Sequence, residues 1–186
     1  MRRTTVLTFL LVAAAALVVV ATAGGNGGRG NDGDNGKKQR TAAVTVYDLR
    51  LEPKQEVPKV QGLRAYADGA LTLDVTRDTA GAVTSGEAIF YFNYDFPSSV
   101  TITGLHVHQG RKGTNGPIVI DSGVASFTDA DGDGNVTAVV NGVAPTLLSA
   151  ILATPRNYYV NLHTSVNPAG AIRDQLGTSK KRKHDD

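Results

Sequence analysis

The chain has 186 residues and no cysteine, which excludes thiol catalysis, thiolate metal sites, redox switching and disulfide staples. With Arg2 and Arg3 set aside, its net charge of +2 becomes 17 basic against 17 acidic residues. The segment between residues 41 and 179 holds 9 basic and 13 acidic residues, so it lacks the cationic surface that nucleic-acid binding needs.

The N-terminus reads as a secretory signal peptide over residues 1–23. Arg2-Arg3 is followed by an apolar run from Val6 to Val20 and by Ala21-Thr22-Ala23, a small-x-small cleavage signature. Export follows, to the medium or the cell surface, with membrane attachment only if this segment stays uncleaved. Residues 24–42 are rich in Gly, Asn and Asp and predict a flexible linker, because they have too little apolar surface to repay ordering. Residues 43–178 form one domain, and 179–186 a basic disordered tail with weak attraction for anionic cell-surface polymers.

Within the domain, Leu71, Leu73 and Val75 alternate with Thr72, Asp74 and Thr76, the pattern of a half-buried strand. Similar runs cover Val44 to Leu51, Glu87 to Tyr94, Val100 to His108, Pro117 to Asp121, Val136 to Val140, Asn157 to His163 and Ala171 to Leu176. Turn chemistry separates them, as in Asp78-Thr79-Ala80-Gly81, Phe96-Pro97-Ser98-Ser99 and Asn167-Pro168-Ala169-Gly170. Short strands at this spacing predict an all-β fold, an antiparallel sandwich or barrel. One short helix interrupts them. It starts near Pro145, carries Leu147, Leu148, Ile151 and Leu152 as one apolar stripe, and closes before Pro155. Phe90, Phe92, Tyr94 and Phe96 share one strand phase and belong in the core; Tyr91 on the other phase calls for cover by a partner or a loop.

Three of the four histidines lie in two of these strands. His106 and His108 project together, opposite Leu105 and Val107. Downstream, Tyr158, Val160 and Leu162 form the apolar phase and His163 the other. If the strands are neighbours, three imidazoles meet on the face away from the core. Imidazole suits copper and zinc, so His106, His108 and His163 form a candidate site for either metal. The competing reading has the same rings bonding loop backbone and locking strand ends without metal.

Asp129-Ala130-Asp131-Gly132-Asp133-Gly134-Asn135 begins like a calcium loop but meets Val140 where a bidentate Glu is required, so it reads as a turn. Arg111-Lys112-Gly113 reads as a solvated hairpin loop, with an anion contact near the histidines as the sharper alternative. Asn135-Val136-Thr137 is a formal glycosylation sequon. Neither a Ser nucleophile elbow, nor a glycine-rich phosphate loop, nor a pair of glycosidase carboxylates is visible, and the chain reads as non-enzymatic.

Taken in order, several motifs resemble the CHRD domain over about residues 43 to 178. They are Gln55-Glu56-Val57-Pro58, Gly69-Ala70-Leu71-Thr72-Leu73, Leu105-His106-Val107-His108, Gly116-Pro117-Ile118-Val119-Ile120-Asp121, Tyr159-Val160-Asn161-Leu162-His163-Thr164 and Asn167-Pro168-Ala169-Gly170-Ala171-Ile172-Arg173. That domain recurs in chordin, an extracellular antagonist of bone morphogenetic proteins, and occurs singly in exported microbial proteins. The resemblance implies an immunoglobulin-like, Greek-key type of β-sandwich or barrel, distant similarity to copper/zinc superoxide dismutase, and no settled activity. It therefore implies an extracellular or cell-surface binding or structural module whose partner is a protein or a cell-surface polymer. The alternative is a copper or zinc protein with a dismutase-like three-histidine site. This sequence departs from the family at Ala171, where Glu is usual, so a carboxylate able to pair with Arg173 or orient a histidine is expected to be missing.

Overall fold

The computed structural model describes residues 40–177; the signal-peptide and tail readings, and the linker up to residue 39, lie outside them. Nine strands and one helix follow in chain order: β1 (Thr41–Leu51), β2 (Tyr66–Arg77), β3 (Val83–Asp95), β4 (Val100–Gln109), β5 (Ile118–Asp121), β6 (Phe127–Asp129), β7 (Asp133–Val140), α1 (Pro145–Ala153), β8 (Tyr158–Thr164) and β9 (Ile172–Gln175). They form two antiparallel sheets, β1-β2-β3-β7 and β5-β4-β8-β9, with β6 pairing with β4 beyond β5. Of the two expected architectures the sandwich is the one formed, and no closed barrel exists among the described residues.

The core is built from the alternation read in the sequence. Leu71, Leu73 and Val75 of β2 and Phe90, Phe92 and Tyr94 of β3 face Leu105, Val107, Val160 and Leu162 of the other sheet, all nearly inaccessible. Burying each large apolar side chain contributes roughly 1.5–3 kcal/mol, which is how a domain without disulfides holds together. Gly69 lets β2 and β3 approach, since a Cβ there would stand 2.0 Å from the Tyr91 carbonyl oxygen. Pro145 opens α1 at its first turn, and the helix inserts Leu148 and Ile151 into the core, with Leu148 against Gly86 of β3. Tyr91 is half exposed on the outer face of the first sheet, as are Val46 and Val139.

The sequence reading lacks one strand. β6 has three residues, too few for alternation to register, and it exists because β4 offers it an edge at Val100–Ile102.

A β-bulge in β4 positions the candidate site. Ile102 pairs with Thr164 and Gly104 with His163, so Thr103 is extra. The extra residue reverses the side-chain phase: Val100 and Ile102 point inward before it, Leu105 and Val107 after it. Without it, His106 and His108 would share the phase of Ile102 and enter the core.

Candidate metal centre

The register of β4 against β8 sets His106 opposite Asn161, His108 opposite Tyr159 and Gly104 opposite His163, all on the face away from the core. That face is not solvent-exposed as strand phase alone suggests. Every residue of β8 and β9 is buried, because the 52–60 connection, the 110–117 loop and the 165–170 turn fold over it. The three imidazoles offer ligand nitrogens that all lie within 4.8 Å of one another.

Backbone carbonyls fix two of the rings. His108 Nδ1 lies 3.0 Å from the Gly116 oxygen, and His163 Nδ1 lies 3.0 Å from the Pro168 oxygen. A carbonyl only accepts, so each Nδ1 carries the hydrogen and each Nε2 is left with a bare lone pair. Those two Nε2 atoms face each other at 3.3 Å. With no hydrogen between them the contact is repulsive, and a cation shared by both removes the repulsion. Two nitrogens each about 2.0–2.1 Å from one tetrahedral ion stand roughly 3.3 Å apart, so the pair fits zinc or copper geometry.

The third ring follows the same scheme through a side chain. His106 Nε2 lies 3.5 Å from Asp121 Oδ1, across the β4–β5 pairing, while its Nδ1 is buried and meets no partner among the described residues. A carboxylate on the outer nitrogen of a ligating histidine is the usual means of orienting the ring and raising its basicity. All three histidines have pKa values below the ordinary 6.5. Burial is the largest cause in each; the neighbouring histidines add to it for His106 and His163 adds to it for His108. Neutral imidazole is the form a metal takes.

Gly104 makes room for His106. A Cβ at that position would lie 2.6 Å from Cε1 and 2.8 Å from Nε2 of the His106 ring. The obstacle is a movable side chain, so Gly104→Ala is expected to keep the fold and turn the ring, weakening metal affinity at least tenfold. A zinc titration beside a thermal melt checks this; unchanged affinity would show that His106 is not a ligand.

His108 is held from its flank as well. Its ring stacks on Tyr159 at 4.9 Å and 7°, and the Arg173 guanidinium lies over the Tyr159 ring at 4.5 Å. Arg173 also donates to the Gln55 carbonyl, the Thr114 carbonyl and Asn115 Oδ1, binding both covering loops to β9. The carboxylate expected to be missing because of Ala171 is supplied from elsewhere. Glu56, in the 52–60 connection, lies 3.9 Å from Arg173 Nε, and both residues are buried. Burial pushes the Glu56 carboxyl up to about 7, against the lowering influence of Arg173. Its motif was legible in Gln55-Glu56-Val57-Pro58, but 117 positions of sequence separate it from Arg173, and no local pattern joins them.

The remaining candidates resolve simply. The Asp129 carboxylate accepts the Tyr94 hydroxyl at 2.6 Å and the amides of Asp131 and Gly132 at 3.3 Å, so the segment joining β6 to β7 is a self-bonded turn and residues 133–135 belong to β7. Arg111 Nε donates to Asn157 Oδ1, and Lys112 lines a cleft beside Arg173.

Compared with known families, residues 47–176 match the model of the CHRD domain. No curated protein and no solved structure matches the chain.

Proposed function

Because the chain belongs to the CHRD domain family, an identity that names a domain and not a reaction, we propose that it is a non-enzymatic binding module of the cell exterior that holds one copper or zinc ion on His106, His108 and His163. The observation that carries this reading is the facing pair of Nε2 lone pairs at 3.3 Å, each left bare by a carbonyl on its own Nδ1. Export is supported by Arg2-Arg3, the apolar run and Ala21-Thr22-Ala23.

When bound to three imidazoles, such an ion keeps a coordination position for an exogenous ligand. The residues of this chain supply the rest. Gly116, Pro168 and Asp121 hold the outer nitrogens, burial keeps the rings neutral, and the loops restrict water. His106 is the most accessible of the three, with 14% of its side chain exposed, and marks the approach side. Among the described residues there is no fourth histidine to bridge two metals, so the metal reading is confined to a single ion on the His-x-His strand and His163.

A metal-free reading has its own support, because the same carbonyl bonds could serve to lock the strand ends. The full chain, produced without a histidine tag and loaded with copper, zinc or calcium, separates the two by mass spectrometry. One copper or zinc per chain is expected, lost in His106→Ala/His108→Ala while the circular dichroism spectrum is kept. Metal content that does not depend on the histidines would sink the metal reading and leave the latch.

A further inference from the structure

We propose that β1 is a docking edge for a second copy of this chain, which adds its own β1 antiparallel about a two-fold axis through Val44. β1 forms one side of the first sheet and pairs with β2 along the whole of Thr41–Leu51 without a register shift. In such a ladder the amides and carbonyls of alternate residues point to opposite edges. Arg50 N–H donates to Asp174 Oδ2 at 3.0 Å, the Arg50 carbonyl accepts from Gln55, and Glu52 exchanges backbone bonds with Arg173, so the even-numbered residues face away from β2. Ala42, Val44, Val46 and Asp48 therefore hold out their backbone groups along an edge that no other strand among the described residues occupies.

Proteins blunt such edges with charge, proline or a bulge. From Thr41 to Tyr47 this one has none of the three. Val44 and Val46 are 58% and 46% exposed on it. An extended segment laid along it satisfies the open ladder.

Charge selects the occupant and the register. A two-fold axis sets the strand against itself, and side-chain phase requires even residues opposite even ones. With the axis at Val44, Val44 meets its own counterpart, Ala42 meets Val46, and Arg40 meets Asp48 at both ends, so an apolar centre is closed by two ion pairs. One step along, Arg40 opposes Arg50, and like charges directly opposite are destabilising. The step after that needs the amides of Arg50 and Glu52, which Asp174 and Arg173 already hold. A step the other way sets Arg40 against Val46. β7, the other edge of this sheet, accepts β1 only head-to-tail, a pairing that closes no dimer. The histidines lie in the other sheet, so this inference is independent of the metal centre.

The chain has no cysteine, so Val44→Cys places a single thiol on the axis. Opposed residues of a hydrogen-bonded pair stand about 5.5 Å apart between Cα atoms, within disulfide reach. The two Val46 positions are then offset by about 13 Å along the strands, beyond it. Oxidation of the full chain is expected to give at least tenfold more covalent dimer with Val44→Cys than with Val46→Cys. By sedimentation velocity the unaltered chain is expected to dimerise. Val44→Pro removes an N–H that β2 does not use, so it is expected to keep the circular dichroism spectrum and raise the dimer Kd at least tenfold. Arg40→Asp is expected to weaken the dimer and Arg40→Asp/Asp48→Arg to restore it, a comparison that decides the matter even where the proline variant fails to fold. A chain that stays monomeric through the micromolar range, equal crosslinking at both positions, association that persists in folded Val44→Pro, no rescue by the double charge reversal, or species growing beyond the dimer would overturn the proposal.

Discussion

Arg173→Met is expected to destabilise the domain by about 3–5 kcal/mol at pH 8, the cost of leaving a buried charge without its partner. The stranded group is Glu56, whose ion pair at 3.9 Å is lost together with three hydrogen bonds that join the covering loops to β9. The pH dependence identifies the cause. In the intact protein the folded pKa of Glu56, about 7, lies above its ordinary 4.5, so the folded state binds more protons between those values. The contribution of Glu56 is therefore most favourable below about 4.5 and is lost as pH rises through 7. Removing Arg173, which lowers that pKa, raises it further and enlarges the loss at high pH. Arg173 is also the last of four influences on His108, so the histidines change little between the two proteins. Urea denaturation should show a larger deficit at pH 8 than at pH 5, and Glu56→Gln added to Arg173→Met should flatten the difference. A deficit of the same size at both pH values would mean that the hydrogen bonds, and not the stranded carboxylate, carry the effect.

Acid release of the ion should be steep. All three histidines are held below 6.5 chiefly by burial, so the ligand set is neutral at pH 7. Affinity is expected to stay flat from pH 8 to 7, then fall below the ordinary histidine range with a slope approaching three protons per ion. The metal-free protein follows the same sign. Depressed folded pKa values make the unfolded chain the better proton binder, so the histidine contribution to stability is present above 6.5 and is lost as pH falls through the folded values. Calorimetric titration in buffers of different ionisation enthalpy counts the protons released. Release at pH 7.5, or a limiting slope near one, would contradict a three-imidazole centre.

Much of the fold was legible because alternation is a local signal. Leu71, Leu73 and Val75, and Phe90, Phe92 and Tyr94, declare their inward phase within a few residues, and Pro145 with Leu148 and Ile151 declares the helix. The grouping of His106, His108 and His163 was legible for the same reason. What remained hidden depends on contacts between distant segments. Tyr159, Asn161, Arg173 and Gln175 occupy the polar phase of their strands and read as solvent-facing, although all are buried under loops. The bulge at Thr103 shows in the sequence only as a shift of the apolar phase from Val100 and Ile102 to Leu105 and Val107, and Asp121 reads as a strand end until β5 pairs beside His106. The family-typical carboxylate at 171 suggested a gap that Glu56 fills from the opposite end of the domain.

The closure of the two covering loops by Arg173 has a kinetic consequence. Its partner Gln55 is 118 positions away in sequence and His163 is 55 positions from His108, so the covered site is complete only when contacts between distant segments of the chain have formed. Contacts of such separation are the slow ones in folding, because loop-closure entropy must be met before they reward it. The histidines therefore come together late, and an ion bound by them would distinguish the finished domain from any partly folded precursor. Its affinity is then a direct increment to native stability that grows as RT ln(1 + [L]/Kd), about 2.7 kcal/mol at a hundredfold excess over Kd. On the proposed metal-binding reading, metal supply would in this way regulate the lifetime of the domain against proteases as well as its occupancy.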